Sequence, residues 1–188
     1  MIENYKIDTY SSFKNQELYK SFVITNHYSK SLSRGNRIIF VLKINNELSG
    51  ISVFSYPTGK GSILECKRFV LWKNAKKNLA SWFMSKCLKE IKKQKLCDAI
   101  LSYADPNFGH TGIMYKASNF KYLGTQKTKG QAIKINGIKK LIHLRIVYQK
   151  INNKYTKTAI KMQNLLKLKK AKYVSLPKKH IFLYEFYK

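Results

Sequence analysis

Residues 64–104, LECKRFVLWKNAKKNLASWFMSKCLKEIKKQKLCDAILSYA, contain the pattern that decides the fold. Leu64–Leu71 is predicted to be a strand, Asn78–Lys93 an amphipathic helix, and Asp98–Ala104 a buried strand. A strand–helix–strand unit requires a parallel, right-handed crossover. The two strands are therefore expected to lie in one sheet, with the helix on one of its faces.

The flanking segments extend this sheet. Arg37–Ile44 and Ile51–Tyr56 are predicted to form an antiparallel hairpin, so the sheet is mixed and the fold class is α/β. The remaining predicted elements are helices at residues 11–24, 109–119 and 158–168, and strands at residues 121–126, 141–148 and 181–186.

A crevice is expected where the parallel strands end, because open α/β sheets bind ligands beyond the carboxyl ends of their strands. The helix that begins near Asn78 would direct its free N–H groups and positive dipole into this crevice. Lys73, Lys76 and Lys77 precede the helix. The pattern suits a pyrophosphate group, but Asn78 and Ser81 are also common residues at a helix cap, so both interpretations stay open.

Charge indicates a polyanionic partner. The chain has 188 residues with 37 Lys plus Arg against 9 Asp plus Glu, a net charge of +28. Residues 121–188 hold 18 of these cations and one acid, interleaved with tyrosines, which suits phosphate contact and base stacking. We therefore divide the chain into a first domain, 1–135, which holds the expected crevice, and a basic, aromatic-rich extension, 136–188, packed on the same domain.

The arginines are few and are candidate phosphate contacts, because a guanidinium fork matches phosphate better than an ammonium group does. With two lysines of the extension, the candidate contacts to a polyanion such as a nucleic acid are Arg34, Arg37, Arg68, Arg145, Lys178 and Lys179.

Membrane insertion and a disulfide framework are not expected. The longest apolar run is the five residues Ile38–Leu42, and the first residues lack the apolar core of a signal peptide. Cys66, Cys87 and Cys97 form no C-x-x-C motif, so buried free thiols are expected. These features predict a cytoplasmic protein with no membrane partner and no evident obligate protein partner.

Residues 102–124, SYADPNFGHTGIMYKASNFKYLG, contain the candidate chemistry. A predicted strand ends at Asp105, and a glycine-flanked His110 precedes a helix that carries Tyr115. Carboxylate, imidazole and phenol at one sheet edge would supply acid–base groups. Each also has a structural explanation: Asp105 as a turn residue, His110 as a helix cap and Tyr115 as a core residue.

This segment resembles the Mom family of phage DNA-modification proteins, a divergent branch of the GCN5-related N-acetyltransferase superfamily. The family pattern S-x-A-D-P-x-x-G-H-x-G-x-x-Y-x-A-x-N-x-x-Y-x-G is met from Ser102 to Gly124. Further matches are the His-Tyr-Ser turn, a strand-borne arginine and an Asn-x-x-Ser helix start: His27, Tyr28, Ser29, Arg68, Asn78 and Ser81. The usual acetyltransferase phosphate loop is absent, and Ile181-Phe182 replaces an expected Arg-Tyr pair.

The resemblance implies the splayed acetyltransferase sheet with flanking helices, and a transferase that attaches a carbamoylmethyl-like group to adenine N6 in DNA. This modification would protect phage DNA from host restriction in the host cytoplasm. An acyl-CoA such as acetyl-CoA is the implied donor, and iron is a further cofactor that the resemblance suggests, although no metal motif is visible. The implied catalytic residues are Asp105, Tyr115, His27 and Tyr28, and the implied cofactor-binding residues are Asn78, Ser81, Ser102 and Asn119.

Other functions stay open at this point. The same fold would serve an acyl-CoA-dependent N-acetyltransferase that acts on protein, RNA or a small amine. A non-catalytic nucleic-acid-binding protein, or a basic structural or anti-host phage protein, would also suit the charge.

Overall fold

The computed structural model describes residues 4–29, 32, 38–57, 61–127, 130–139, 141–148, 150–151 and 153–187. The chain forms two compact units. The first comprises Met1–Ala104, Phe108–Gly124 and His180–Lys188, and the second comprises Asp105–Asn107 and Thr125–Lys179. The division falls after Gly124, the predicted boundary follows residue 135, and the chain returns to the first unit at His180.

The elements follow one another in a mixed α/β order. They are β1 (Tyr5–Tyr10), α1 (Glu17–Asn26), β2 (Ile38–Ile44), β3 (Glu47–Ser55), β4 (Ile63–Leu71), α2 (Leu79–Lys93), β5 (Ala99–Ala104), α3 (Ile113–Ala117), β6 (Lys121–Thr125), β7 (Gln131–Ile135), β8 (Ile142–His143), β9 (Lys150–Ile151), β10 (Lys154–Tyr155), α4 (Lys157–Lys167), β11 (Ala171–Ser175) and β12 (His180–Glu185).

The first unit is built on a seven-stranded sheet of order β1-β2-β3-β4-β5-β12-β6. Strands β1 to β4 are antiparallel neighbours, β4 and β5 are parallel, and β12 is antiparallel to β5. Helix α2 makes the crossover between the parallel strands. The predicted mixed sheet with flanking helices is therefore confirmed.

The run IIFVL in β2 explains why the sheet is covered on both faces. Ile39 and Val41 pack in the cluster that contains α1, whereas Phe40 and Leu42 pack in the cluster that contains α2. Because successive side chains of a strand point to opposite faces, a strand between two layers must be apolar throughout. Full burial of each such side chain contributes roughly 1.5–3 kcal/mol to stability.

The second unit has its own small core. Its three-stranded antiparallel sheet has the order β11-β7-β8, and β9 pairs with β10. Ile133, Val147, Met162 and Ala171 are buried together against α4. Helix α4 begins after Thr156, whose Oγ1 accepts a hydrogen bond of 3.1 Å from the N–H of Ala159.

Several elements differ from the sequence prediction. Strands β1, β7 and β11 were not predicted, and residues 141–148, predicted as a strand, form only β8 and a 3-10 turn, Leu144–Ile146. Helix α3 covers only part of residues 109–119, because the backbone before it turns through left-handed conformations. The three cysteines are buried and free, as expected. Among the described residues, no helix has the length and apolar character needed to span a membrane.

Candidate active site

Strands β4 and β5 are paired along only part of their length. Their parallel ladder ends where Cys66 lies opposite Ser102. At the next residue, Lys67, the register between β4 and β3 shifts, so Lys67 is the additional residue of a β-bulge. A bulge bends and twists its strand. The bend in β4 therefore coincides with the point at which this strand separates from β5.

A cleft of about 370 Å³ opens where the strands separate. Its walls come from β4 between Cys66 and Leu71, the end of β5, residues 109–115, Ala80 in the first turn of α2, and residues 27–28. The crevice expected at the carboxyl ends of the two strands is thus present.

Glycines shape the wall that precedes α3. Gly109 and Gly112 have φ angles of 72° and 81°, in the left-handed region that favours glycine. A Cβ atom on Gly112 would lie 2.1 Å from Cζ of Phe182. Only glycine permits this approach, which brings the start of α3 onto β12. As a result Tyr115 packs against Phe120 and Phe182 with ring centroids 5.3 Å apart.

Tyr115 lines the cleft and is 9% exposed. Burial raises the pKa of Tyr115 well above its ordinary value, the neighbouring Cys66 raises it further, and Ser102 offsets part of this rise. The Ser102 hydroxyl is itself fully buried, and no atom of the described residues meets hydrogen-bond geometry with it. The raised pKa keeps the Tyr115 phenol protonated, which is the state that a general acid requires.

Cys66 also lines the cleft and was not singled out from the sequence. Burial raises the pKa of its thiol to about 12, and contacts with Ser52 and Tyr115 offset only part of this effect. The Sγ atom lies 3.9 Å from Oγ of Ser52 and donates to the carbonyl of Arg68 over 3.8 Å. A thiol with this pKa stays protonated at neutral pH, so it is a poor nucleophile. Burial therefore disfavours a thiolate at this position.

Arg68 brings a half-buried positive charge to the same cleft. Burial lowers the pKa of its guanidinium, and the nearby Tyr28, Cys66 and Glu65 raise it in part. Its Nη1 donates a hydrogen bond of 2.6 Å to the carbonyl of Lys67. A partly desolvated guanidinium gains more from an anionic ligand than one in bulk water does. The cleft is thus suited to a ligand that carries phosphate or another anion.

An aromatic group surrounds Tyr28 on another wall. The Tyr28 ring centroid lies 4.2 Å from that of His27, 4.2 Å from that of Phe108 and 5.1 Å from that of His110. His27 is buried, and its Nδ1 accepts a hydrogen bond from the N–H of Ser29 over 3.1 Å. The neutral imidazole therefore carries its proton on Nε2, which makes Nε2 a donor in this arrangement. Gly112, not His110, is the residue at the cap of α3.

Asp105 belongs to the second unit and directly follows the cleft-lining Ala104 in the chain. Its side chain is 6% exposed. One oxygen accepts hydrogen bonds from the backbone N–H and side-chain amide of Asn107, at 3.1 and 2.8 Å, and the other lies 3.3 Å from Nζ of Lys179. Lys179, predicted to contact DNA, is therefore held by a carboxylate.

The predicted cofactor-binding residues lie in different surroundings. Asn78 precedes α2 with a φ of 66°, its side chain makes no cap hydrogen bond, and Ser81 donates to its carbonyl over 3.1 Å. The residue of this turn that lines the cleft is Ala80. Asn119 lies two residues after the end of α3, in the left-handed conformation with a φ of 62°, and is not among the residues that line the cleft. Ser102 is buried beside Tyr115 rather than exposed to a ligand.

The structure describes only some of the predicted DNA-binding residues. Arg34 and Arg37 lie outside the described residues. Arg145 lies in the 3-10 turn that follows β8, and only its backbone is described. Lys178 is exposed in the second unit.

The described residues do not fit an iron site. They contain no group of three His, Cys, Asp or Glu side chains placed to hold a metal. His27 and His110 both contact Tyr28, but the Nδ1 of His27 is engaged by Ser29.

Solved acetyltransferases share this fold. An N-acetyltransferase from Staphylococcus aureus Mu50 matches with a TM-score of 0.53 and 16% identity, over 97% of each chain. A Bacillus subtilis acetyltransferase in complex with CoA matches with a TM-score of 0.55 and 12% identity, over 98% of this chain and 100% of that one. A GNAT family acetyltransferase from Elizabethkingia anophelis with acetyl-CoA bound matches with a TM-score of 0.50 and 12% identity, over 97% and 99%. At these identities the likeness shows the fold alone, which is the GCN5-related N-acetyltransferase fold.

Sequence comparison gives the family. No curated protein sequence matches the chain. The sequence pattern of the Mom protein family matches residues 13–188, which is nearly the whole chain. With the acetyltransferase fold and the cleft at the separated strands, this match confirms the resemblance seen between Ser102 and Gly124. The chain belongs to the Mom protein family.

Proposed function

We propose that the protein is a DNA-modifying transferase of the Mom type that acts on N6 of adenine with an acyl-CoA as a co-substrate, and so protects phage DNA from restriction. The acyl-CoA accounts for an activated acyl carbon, whereas the carbamoylmethyl-like group that the family resemblance implies is joined through a methylene carbon and also requires a nitrogen donor. The observation that carries this proposal is the protonated Tyr115 in the wall of a cleft that also contains an aromatic group and a cation. Membership of the Mom family supports DNA as the substrate.

The unpaired edge of β4 suits the amide-containing arm of an acyl-CoA. Beyond Cys66 the backbone of β4 has no partner in β5, so an extended ligand can pair with it as a strand would. The first turn of α2 offers free N–H groups near Ala80, and Lys73, Lys76 and Lys77 precede it, which suits a pyrophosphate. An acyl-CoA supplies an activated thioester. Solved relatives of this fold bind CoA and acetyl-CoA.

Tyr115 is the proposed general acid. A tyrosine phenol holds its proton at neutral pH, and burial raises the pKa of Tyr115 further. The phenol would deliver this proton to the thiolate that leaves when the thioester carbon–sulfur bond breaks. Contacts with Phe120 and Phe182 fix the ring, and Cys66 and Ser102 lie beside the phenol. The role of these neighbours is to hold the hydroxyl in place.

The aromatic group is the proposed site for adenine. The N6 lone pair is delocalised into the ring, so the amine must be positioned beside a base, and the nucleotide must leave the duplex stack at a cost of a few kcal/mol. Tyr28 and Phe108 offer aromatic faces to the extruded base, and Arg68 offers a cation to a phosphate. His27 would act here as a hydrogen-bond donor to the base through Nε2, because its Nδ1 already accepts a hydrogen bond from Ser29.

The test is the composition of DNA from bacteria that express the protein. Digestion to nucleosides and mass spectrometry should reveal an adenine nucleoside with added mass, and the Tyr115→Phe variant should lack it. Ordinary deoxyadenosine alone would contradict the proposal. Acetyl-CoA turnover on a lysine peptide without any DNA adduct would instead identify an N-acetyltransferase with another substrate.

A further inference from the structure

The second unit carries a concentration of positive charge that its own residues do not neutralise. Residues 125–179 contain sixteen Lys and Arg side chains and no Asp or Glu. The unit's carboxylate, Asp105, is buried and engaged by Lys179. Its exposed lysines therefore have no carboxylate partner within the described part of this unit.

The register of β7 and β11 concentrates this charge on one face. Lys134 lies directly opposite Lys172, and both side chains are exposed. Lys170 is also exposed and two residues from Lys172, and its carbonyl accepts a hydrogen bond of 3.0 Å from the N–H of Asn136, which continues the same register. Because side chains alternate along a strand, Lys134, Lys170 and Lys172 lie on one face. The opposite face packs against α4 through Ile133 and Ala171.

Like charges placed directly opposite each other on neighbouring strands destabilise a sheet. A polyanion that lies across such a pair neutralises the repulsion, so the sheet then keeps the two like charges without a loss of stability. Phosphates along a nucleic-acid backbone are regularly spaced anions that match a row of ammonium groups.

We propose that the face of the β7–β11 pair that presents Lys134, Lys170 and Lys172, here called the lysine face, binds the phosphate backbone of DNA. The choice of DNA over other polyanions rests on the proposed function. None of these three residues was a predicted DNA contact. The lysine face makes no base contacts of its own, so it contributes affinity that does not depend on sequence.

The test compares the full-length protein with the double variant Lys134→Gln/Lys172→Gln. Fluorescence anisotropy with a DNA duplex at several salt concentrations should show roughly 10- to 100-fold weaker binding near 100 mM salt, and a slope of log K against log salt that is smaller by about 2. Without DNA, the melting temperature should rise by about 1–3 °C, because the repulsion is gone. Together these two results exclude a purely structural role, for which the melting temperature would fall.

The matched control is Lys89→Gln/Lys93→Gln on α2, which removes the same charge from exposed positions of the first unit. It should change the affinity for DNA far less. An equal loss in the control, or an unchanged salt slope in the lysine-face variant, overturns the proposal. So does retained DNA binding with loss of binding to anionic phospholipid vesicles, which would identify a membrane surface instead.

The outcome can be separated from that of the proposed function. A protein that binds DNA through the lysine face but leaves adenine unmodified contradicts the proposed function alone. A protein that modifies adenine while the lysine-face variant binds DNA as tightly as wild type contradicts the lysine face alone.

Discussion

Cys66 and Ser102 face each other in the last parallel pair of β4 and β5, and the phenol of Tyr115 interacts with both. Three buried polar groups thus meet at the point where the strands separate. Burial keeps the thiol and the phenol protonated, because their charged forms would be desolvated. A protonated phenol and a protonated thiol therefore lie side by side at the opening of the cleft.

Replacement of Tyr115 by Phe should remove this proton donor and leave the packing of the ring intact. The rate of adenine modification should fall about 10²- to 10⁴-fold, the range expected for loss of a general acid. DNA affinity and melting temperature should change little. Single-turnover assays with mass-spectrometric detection measure the rate.

Tyr187→Phe is the matched control, since it removes an exposed phenol from the end of the same unit. It should leave the rate unchanged. A Tyr115→Phe variant with wild-type turnover would exclude Tyr115 as the acid.

Gly112→Ala should destabilise the first unit. The methyl group would meet the Phe182 ring, and the left-handed φ of 81° is unfavourable for alanine. The conformational cost and the overpacking together amount to about 2–5 kcal/mol. Chemical denaturation of the two proteins measures this loss, and the modification rate should fall with it because α3 carries Tyr115.

Gly61→Ala provides the comparison, because a Cβ atom there would meet no heavy atom within 4 Å. It should be close to neutral. Equal stability of both variants would show that the approach of Gly112 to Phe182 is not needed.

Strong hydrophobic patterns explain which parts of the fold the sequence predicts. The run IIFVL of β2 and the regular apolar spacing in α2 leave little choice of structure, and both elements occur where expected. Strands β7 and β11 have five residues each and mix lysine with apolar positions, so no periodicity marks them. Their pairing joins segments almost forty residues apart, which a local pattern does not reveal.

The site was predictable in part for a similar reason. The spacing from Gly109 to Tyr115 reflects local backbone geometry, so the motif is readable in the sequence. Cys66 and Phe108 reach the site only through strand register and ring contacts, and neither residue type indicates such a role by itself. The ion pair between Asp105 and Lys179 joins residues that are far apart in the chain, so no local pattern predicts it.

Alkaline pH should destabilise the protein through its buried thiols. The pKa of Cys66 is raised to about 12 and that of Cys97 to about 11, both by burial, whereas a thiol in the unfolded chain has a pKa near 8.5. Above roughly pH 8.5 the unfolded state loses these protons and the folded state keeps them. Stability is therefore fully present below that pH and is lost as the pH rises toward the folded values.

Urea unfolding at several pH values between 7.5 and 10.5 measures this loss. Cys97→Ala removes one titrating thiol at a distance from Tyr115. With rising pH, the free energy of unfolding of this variant should therefore fall less steeply than that of the wild type. The two slopes should differ by up to about 1.4 kcal/mol per pH unit above pH 9. Lysine deprotonation affects both proteins equally, so the difference between them isolates the thiol. Parallel pH curves for the two proteins would rule out this contribution.

Phe108 should contribute affinity for the target base. Its ring is 53% exposed, and one of its neighbours is Tyr28, with centroids 4.2 Å apart and planes inclined by 30°. A base stacked on an aromatic ring gains about 1–3 kcal/mol, so Phe108→Leu should weaken the binding of single-stranded DNA by roughly 10- to 100-fold and raise KM more than it lowers kcat.

Leucine keeps an apolar surface and lacks the flat π-face, whereas Phe108→Tyr keeps the π-face and should bind nearly as wild type. If Phe108 served only to cover Tyr28, both variants would retain wild-type affinity, because each still supplies apolar contact. The two substitutions therefore separate a stacking surface from a packing contact at a single position, and an unchanged KM in Phe108→Leu would exclude Phe108 from the base site.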